Sequence, residues 1–425
     1  MNDSKNDEAW ELIFNKHKII EKIINHGHFE IKSSDINKFR EARLMTKFDY
    51  KSQLPKIFSQ NNLSILPITR GSYIISDFST FKDFEEADIE VKKIDFPNYI
   101  ESIDINKITS EATALNCAFL TGIIDDFVCD EDMKPTVSGR MSSNFFDFKI
   151  QRPKSILEIN VKNAQLEIDG GYEGVNSLNI VEAKNSISRD FNIRQLFYPF
   201  KLWKQKIKKT VRPIFLTYSN GIFHFREYVF EDPLFYNSIN LVREKKYTIS
   251  EGLINYEVIQ EILNRSKIIK EPSIPFPQAD SFTRIINLCE LLFENNELTQ
   301  NEITENYDFD FRQTDYYTNA CRYLGLIEKF QENEVKYFLS KIGEDIFNLP
   351  IANRQKRFIE LILSHLPFNK VLHLYFKKGE APNKKEIVKI MKESDLFNVN
   401  SESTYFRRAS TIARWTDWIL DQIEE

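Results

Sequence analysis

Apolar residues recur at helical spacing over residues 8–28, where Trp10, Ile13, Phe14, Ile20, Ile23 and Ile24 predict one side of an amphipathic helix. Ser33-Ser34-Asp35 predicts the cap of a second helix over 36–43, and a third is predicted over 52–60, stopped by Asn61-Asn62. Alternation at 63–68 and 71–78 predicts two strands about Thr69-Arg70-Gly71. Three helices followed by a hairpin is a winged-helix plan. Residues 80–95 are acidic, with Glu85-Glu86 and Asp88, and predict a surface loop or linker.

Ser110 opens a predicted helix running to about 127, with Ala112, Leu115, Phe119 and Ile123 inside. The small residues of Ser138-Gly139-Arg140 predict either a close backbone approach or a tight turn. Phe145, Phe148 and Ile150 predict the start of a core sheet that continues through 156–159. A strand over 164–168, ended by Gly170-Gly171, and a second over 179–185 predict a hairpin. Period two puts Glu182 and Lys184 on one face of it and brings Asp169 beside Glu182. Leu196, Phe200, Trp203 and Ile207 stripe a helix over 191–209, kinked at Pro199. Its far end carries Lys201, Lys204, Lys206, Lys208 and Lys209. The clearest hairpin joins 211–218 to 222–230 through Asn220-Gly221.

A proline-bearing loop over 271–280 predicts a domain boundary, and the pattern beyond it is nearly all helical. Helices over 298–303 and 312–324, a stop at Gly325 and a polar hairpin over 328–339 form the best winged-helix pattern in the chain. A similar plan returns over 384–391 and after the Ser401–Thr404 cap, where Trp415 and Trp418 read as core. The predicted division is therefore 1–95, 96–270, 271–350 and 351–425, in keeping with the roughly two to four domains that such a length implies.

Composition changes this picture little. The 425 residues are 42% hydrophobic and 13% aromatic, with 35 phenylalanines, which argues for packed domains rather than disorder. A net charge of −6 does not by itself suggest a nucleic-acid partner, but local basic patches suffice for one. The four cysteines have no metal-ligand spacing and point to a reduced, cytoplasmic setting. A polar start without a signal peptide, and no apolar run near the length of a spanning helix, predict no membrane role.

Two carboxylates with a lysine beside them offer hard oxygen donors to Mg²⁺, which can lower the pKa of water and stabilise an attacked phosphate. Lys184 would orient the water and offset developing charge. Acid-any-base triplets arise often in so charged a chain, and Asp3-Ser4-Lys5 is another. A solvated strand face is the competing reading. The Asp-Gly-Gly upstream, the apolar flanks and the helix opening with Arg194-Gln195 set this copy apart.

Asp169, Glu182-Ala-Lys184 and Gln195 resemble the active-site signature of the PD-(D/E)XK nuclease superfamily. The surrounding Glu-Ile-Asp-Gly-Gly-Tyr-Glu, Val-Glu-Ala-Lys-Asn and Arg-Gln-Leu-Phe-Tyr-Pro-Phe are similar to type II restriction endonucleases. The likeness extends to Arg43-Leu-Met-Thr-Lys-Phe-Asp and to Arg312-Gln-Thr-Asp-Tyr-Tyr; Ile168 stands where the superfamily name has proline. It implies an α/β (α+β) nuclease core with a mixed central sheet between mostly helical, winged-helix-like domains. Asp169 and Glu182 would hold Mg²⁺, with Lys184 and Gln195 catalytic and Glu111, on an upstream helix, completing the site. The implied partner is double-stranded DNA, cut by a homodimer and guarded by a cognate methyltransferase.

The candidate DNA contacts are Arg40, Arg43, Lys47, Lys51 and Arg70 at the N-terminal end, and Arg140 in the core. Arg312, Gln313, Tyr316, Tyr317 and Arg322 stand on a would-be recognition helix, and Arg407 and Arg408 on the last helix. The alternatives are a repair or modification-dependent nuclease, and a non-catalytic winged-helix regulator.

Overall fold

Ser4 and Asp7 form a capping box that opens the helix Lys5–His17. Lys18 then adopts a left-handed conformation, so the single helix expected over 8–28 becomes two, with Ile19–His26 the second. Trp10, Ile13 and Phe14 are buried as expected, whereas Ile24 faces solvent. The computed structural model describes residues 4–85, 87, 89–249, 254–307, 309, 311–331 and 334–423. Glu86 and Asp88 of the expected acidic loop lie outside the described residues. It separates into two units: Met1–Asn98 with Ser110–Tyr218 and Ile222–Thr248, and Tyr99–Thr109 with Ser219–Gly221 and Ile249–Glu425.

In the first unit, Phe29–Lys32, Ser72–Ser76 and Ser64–Thr69 form an antiparallel three-stranded sheet in that order. The helix expected over 36–43 is instead two short pieces, Ser33–Ile36 and Ala42–Thr46. Pro55 confines the third to Lys56–Gln60, because a helix rarely runs through the residue before a proline. Trp10, Phe14 and Phe58 pack edge to face at the centre of this layer.

Seven strands form the unit's mixed central sheet: β1 (Val91–Lys93), β2 (Lys134–Ser142), β3 (Gln165–Glu173), β4 (Ser177–Lys184), β5 (Thr210–Ser219), β6 (Ile222–Phe230) and β7 (Ile239–Thr248). Their order is β1-β7-β6-β5-β4-β3-β2, with β4 parallel to β5 and antiparallel to β3. A parallel neighbour needs a crossover, and the helix Arg194–Lys206 supplies it. That helix and a second one, Glu111–Leu120, flank the central strands. All of β4 except Lys184 is consequently buried.

The glycines of Asp-Gly-Gly do not end the strand. β3 runs through them, and the turn lies at Gly174-Val175-Asn176. A Cβ at Gly171 would stand 2.7 Å from that of Val137, and one at Gly170 3.2 Å from Leu115. Close approach of the neighbouring strand therefore excludes a side chain at Gly171, and at Gly170 a side chain would crowd Tyr172, at 3.0 Å, and Leu115. The register between β2 and β3 shifts at Val137/Gly139, beside the same glycines.

Other expectations need amendment. Phe145–Gln151 and Ile156–Lys162 form their own two-stranded sheet, with Phe148 against Phe197 at 5.1 Å, and are not part of the central one. The helix from Ser110 ends at Leu120, where Gly122 takes φ +73° and a short helix, Ile123–Val128, restarts. Ala112 is exposed, and Ala114, Leu115, Cys117 and Ala118 are inside. Lys201 is buried, donating to the carbonyl of Pro233 at 3.1 Å, and does not join the basic end of its helix.

The second unit begins its regular structure with the helix Tyr256–Arg265, whose Ile259, Ile262 and Leu263 join that unit's core. Phe282–Asn295, a strand Glu297–Thr299, helices Gln300–Asn306 and Phe311–Tyr323, and strands Ile327–Gln331 and Val335–Leu339 follow. Thr299 thus caps the helix that was expected to include 298–299. The three strands make one antiparallel sheet. Among the described residues beyond Leu339 the regular structure is helical, ending with Glu402–Leu420, and no strand is found. Trp415 and Trp418 lie in the same core as Leu288, Leu326 and Phe358. Among the described residues no helix is long and apolar enough to cross a membrane.

Candidate functional site

The ladder between β3 and β4 reaches Gly170↔Val181. The backbone N–H of Ala183, two residues on, is taken by a side chain: it donates to Asp169 Oδ2 at 2.8 Å. Asp169 thereby stands at the end of the hairpin beside Glu182. Lys184, two residues further along the same strand, donates from Nζ to Glu182 Oε1 at 2.7 Å and to the carbonyl of Ala183 at 3.1 Å. At the first turn of the crossover helix, Gln195 donates from Nε2 to the same Glu182 oxygen at 2.6 Å. Glu111, at the first turn of its own helix, lies 3.6 Å from Lys184 Nζ. All five residues expected at a catalytic centre thus meet at one end of β4.

Burial pushes the Glu182 carboxyl up to about 8; Lys184 opposes this, and the charges of Asp169 and Asp49 add to it. Burial likewise raises Glu111 against the pull of Lys184. For Lys184, burial favours the neutral amine, but Glu182, Glu111, Asp49 and Asp169 outweigh it and hold the ammonium well above the usual lysine range. An ammonium held in this way suits orientation and charge stabilisation better than proton abstraction.

Among the described residues, no three acidic, histidine or cysteine side chains are gathered closely enough to hold a metal by themselves. Mg²⁺ does not demand such a cage, because it binds through one or two carboxylates and keeps waters and phosphate oxygens as its other ligands. The donor set fits that habit. No donor among the described residues reaches Glu182 Oε2, and Oε1 of Gln195 and Oδ1 of Asp49 are buried without a donor. Buried acceptors without partners are costly unless something supplies a positive charge or a proton.

Asp49 was not legible as a site residue. Its charge reaches both Glu182 and Lys184, yet it lies 120 residues before Asp169 on a stretch without regular structure. The only signal was its place at the end of Arg43-Leu-Met-Thr-Lys-Phe-Asp.

The candidate DNA contacts divide. Arg43, Lys51 and Arg70 are exposed, while Arg40 donates to Asn6 Oδ1 at 2.8 Å. Lys47 pairs with Asp49 at 3.6 Å, so it belongs with the carboxylate cluster. Arg140 is exposed on the edge strand β2 and donates to Glu167 at 3.3 Å. In the second unit, the Arg312 guanidinium lies over the Tyr316 ring at 5.4 Å, and Arg322 bonds Asn319 at 3.1 Å. Gln313 is half-buried. Burial pulls the Arg408 guanidinium down to about 10, with Arg407 adding and Tyr316 and Asp280 opposing. Arg408 therefore stands within electrostatic reach of Tyr316, and two helices distant in sequence share one neighbourhood. Arg407 is exposed beside it. Tyr317 is a correction: it is buried against Phe309 at 4.8 Å and cannot meet a base.

Three family models match parts of the chain, each described as a domain of unknown function: DUF6996 over residues 7–75, DUF6997 over 76–248 and DUF7226 over 284–424. No match was found among curated proteins or among solved structures.

Proposed function

We propose that this chain is a Mg²⁺-dependent endonuclease that hydrolyses phosphodiester bonds in double-stranded DNA at a specific sequence, with a PD-(D/E)XK-type core. The observation that carries the reading is the meeting of Asp169, Glu182, Lys184, Gln195 and Glu111 at one end of β4. Asp169 and Glu182 would hold the ion, which supplies a more acidic water and charge stabilisation at the phosphate. Gln195 and Lys184 together fix the Glu182 carboxylate through Oε1 and leave Oε2 available. The Lys184 ammonium orients the attacking water and stabilises the charge that builds on the phosphoryl oxygens.

In the second unit, the helix–strand–helix–helix–strand–strand order over 282–339 supports reading it as a winged helix. We assign its third helix, Phe311–Tyr323, to the major groove, with Arg312, Gln313, Tyr316 and Arg322 facing DNA. Arg407 and Arg408 would add phosphate contacts. Cutting both strands of a symmetric site favours a homodimer, and a restriction role would pair the enzyme with a methyltransferase that protects the same site. Digestion of mixed-sequence DNA with Mg²⁺, followed by sequencing of the ends, tests this. One recurring sequence at the ends is expected on unmethylated DNA. Binding without any Mg²⁺-dependent cutting would leave a non-catalytic regulator instead.

A further inference from the structure

The stretch from Phe48 to Lys51 has no regular structure until its last residue, yet it is tied to the strand that carries the site and to the segment after it. Asn192 holds it twice, donating from Nδ2 to the carbonyl of Phe48 and from its backbone N–H to the carbonyl of Asp49, both at 2.9 Å. The Tyr50 hydroxyl meets Ser186 Oγ at 2.6 Å, two residues past Lys184. The backbone N–H of Lys51 donates to Asp190 Oδ1 at 2.8 Å. Gln53 accepts from the backbone N–H of Asp49 at 2.7 Å and of Tyr50 at 3.2 Å, which fixes the turn locally. These bonds leave the Asp49 side chain little freedom, and its placement is not an accident of a loose loop.

That side chain is half satisfied. Oδ2 pairs with Lys47 at 3.6 Å, while Oδ1 is buried with no donor. A buried carboxylate oxygen without a donor is rare in a folded protein and asks for a partner. The neighbours whose charges it feels, Glu182 and Lys184, are the centre of the site. Another buried acceptor without a donor at the site is the amide Oε1 of Gln195, whose side chain is about nine-tenths buried and is bonded to Glu182 through its Nε2.

We infer that Asp49 is a positioning residue of the catalytic centre, its Oδ1 accepting a hydrogen bond from a water of the divalent ion held by Asp169 and Glu182. The inference rests on the Mg²⁺ reading above. Its consequence is that the region matched by the first family model, residues 7–75, completes a site whose other acids lie in the second, residues 76–248. Carboxylates that bond the ligands or waters of a metal tune affinity by about 10–100-fold, which sets the size of the expected effect.

The test is Mn²⁺ binding by the full-length protein without DNA, followed through the signal of the free ion by electron paramagnetic resonance. Wild type, Glu182→Gln and Asp49→Asn are compared, with melting temperature measured on each. Expected are binding by wild type, its loss in Glu182→Gln, and about a 10–100-fold weaker dissociation constant in Asp49→Asn. A purely structural Asp49 would lower the melting temperature and leave the dissociation constant alone, and that result overturns the inference while the nuclease reading stands. Absence of Mn²⁺ binding by wild type would sink both. Should Asp49→Asn not fold, Tyr50→Phe decides: loss of its bond to Ser186 loosens the same stretch, so several-fold weaker Mn²⁺ binding is expected, and unchanged binding overturns the inference.

Discussion

Gln195 donates to Glu182 Oε1 at 2.6 Å, and Lys184 donates to that same oxygen at 2.7 Å. A carboxylate held through one oxygen by two donors keeps its orientation, and its second oxygen is presented in a fixed direction. Under the nuclease reading, Gln195 would therefore act by positioning Glu182. Gln195→Ala is expected to weaken Mn²⁺ binding modestly and to slow DNA cleavage by about 10–100-fold, as for loss of a group that orients a metal ligand. Cleavage and binding both at wild-type level would show that Lys184 alone orients Glu182.

Removal of an acid is expected to be more severe. Asp169→Asn and Glu182→Gln should fold, bind DNA and fail to cut it at any Mg²⁺ concentration. Lys184→Ala should still bind Mn²⁺ but lose about 10²–10³ in single-turnover rate, the usual cost of deleting one charge-stabilising group. Because the Lys184 ammonium is held well above its ordinary range, no step in the rate profile below pH 9 is expected from it. Substantial cutting by Asp169→Asn would reassign the site.

Glu182 makes the pH dependence testable. Its carboxyl is raised to about 8 in the folded protein, above its value in the unfolded chain, so the folded state holds the extra proton between the two values. Stability from this group is complete below the unfolded pKa and is lost as pH rises towards 8. Glu182→Gln removes that dependence. The melting temperature of the variant, relative to wild type, should therefore rise between pH 5 and pH 9. Ion binding displaces the same proton, so Mn²⁺ affinity of wild type should increase with pH by up to about tenfold per unit below that pKa. A pH-independent difference between the two proteins would show that Glu182 is ionised throughout.

The DNA-binding surface proposed for the second unit divides by role. Gln313→Ala is expected to cost about 1–3 kcal/mol on the specific site and to relax discrimination at one position. Arg322→Ala and Arg408→Ala should weaken all sequences alike and lower the salt slope by about one unit each. Tyr317→Ala should act differently, destabilising the unit by about 3–5 kcal/mol through loss of a core aromatic, as a thermal melt would show. If Tyr317→Ala melts like wild type and loses only DNA affinity, the side chain is a contact after all.

Period-two alternation was enough to place Glu182 and Lys184 together, and one hairpin was enough to bring Asp169 to them, because both relations are local. Gly170 and Gly171 were misread as a stop because only the packed neighbours, Val137 and Leu115, reveal why side chains are excluded there. Tyr317 needed the structure: it lies four residues after the half-buried Gln313 on the same side of the helix, and only its packing against Phe309 decides that it is core. Asp49 was beyond reach, since bonds from Asn192, 143 residues later, set its position and leave no periodic trace.

The proline-bearing loop suggested an end near Lys270, but the helix Tyr256–Arg265 buries Ile259, Ile262 and Leu263 in the core of the second unit. Arg265 also pairs with Glu360 at 2.6 Å, and the backbone N–H of Ile269 donates to the carbonyl of Ser364 at 2.9 Å. A chain ended after Lys270 would carry that helix with its apolar face uncovered, at about 1.5–3 kcal/mol for each exposed side chain. One ended after Thr248 keeps all seven strands of the central sheet, together with Asp49, Glu111, Asp169, Glu182, Lys184 and Gln195. We expect the shorter chain to be the better behaved of the two in size-exclusion chromatography. It should bind Mn²⁺ about as tightly as the full-length protein and cut DNA slowly and with little selectivity, having lost the phosphate contacts of the second unit. A monodisperse, cooperatively melting chain ended at Lys270, beside an aggregated one ended at Thr248, would show that the Tyr256–Arg265 helix serves the first unit instead.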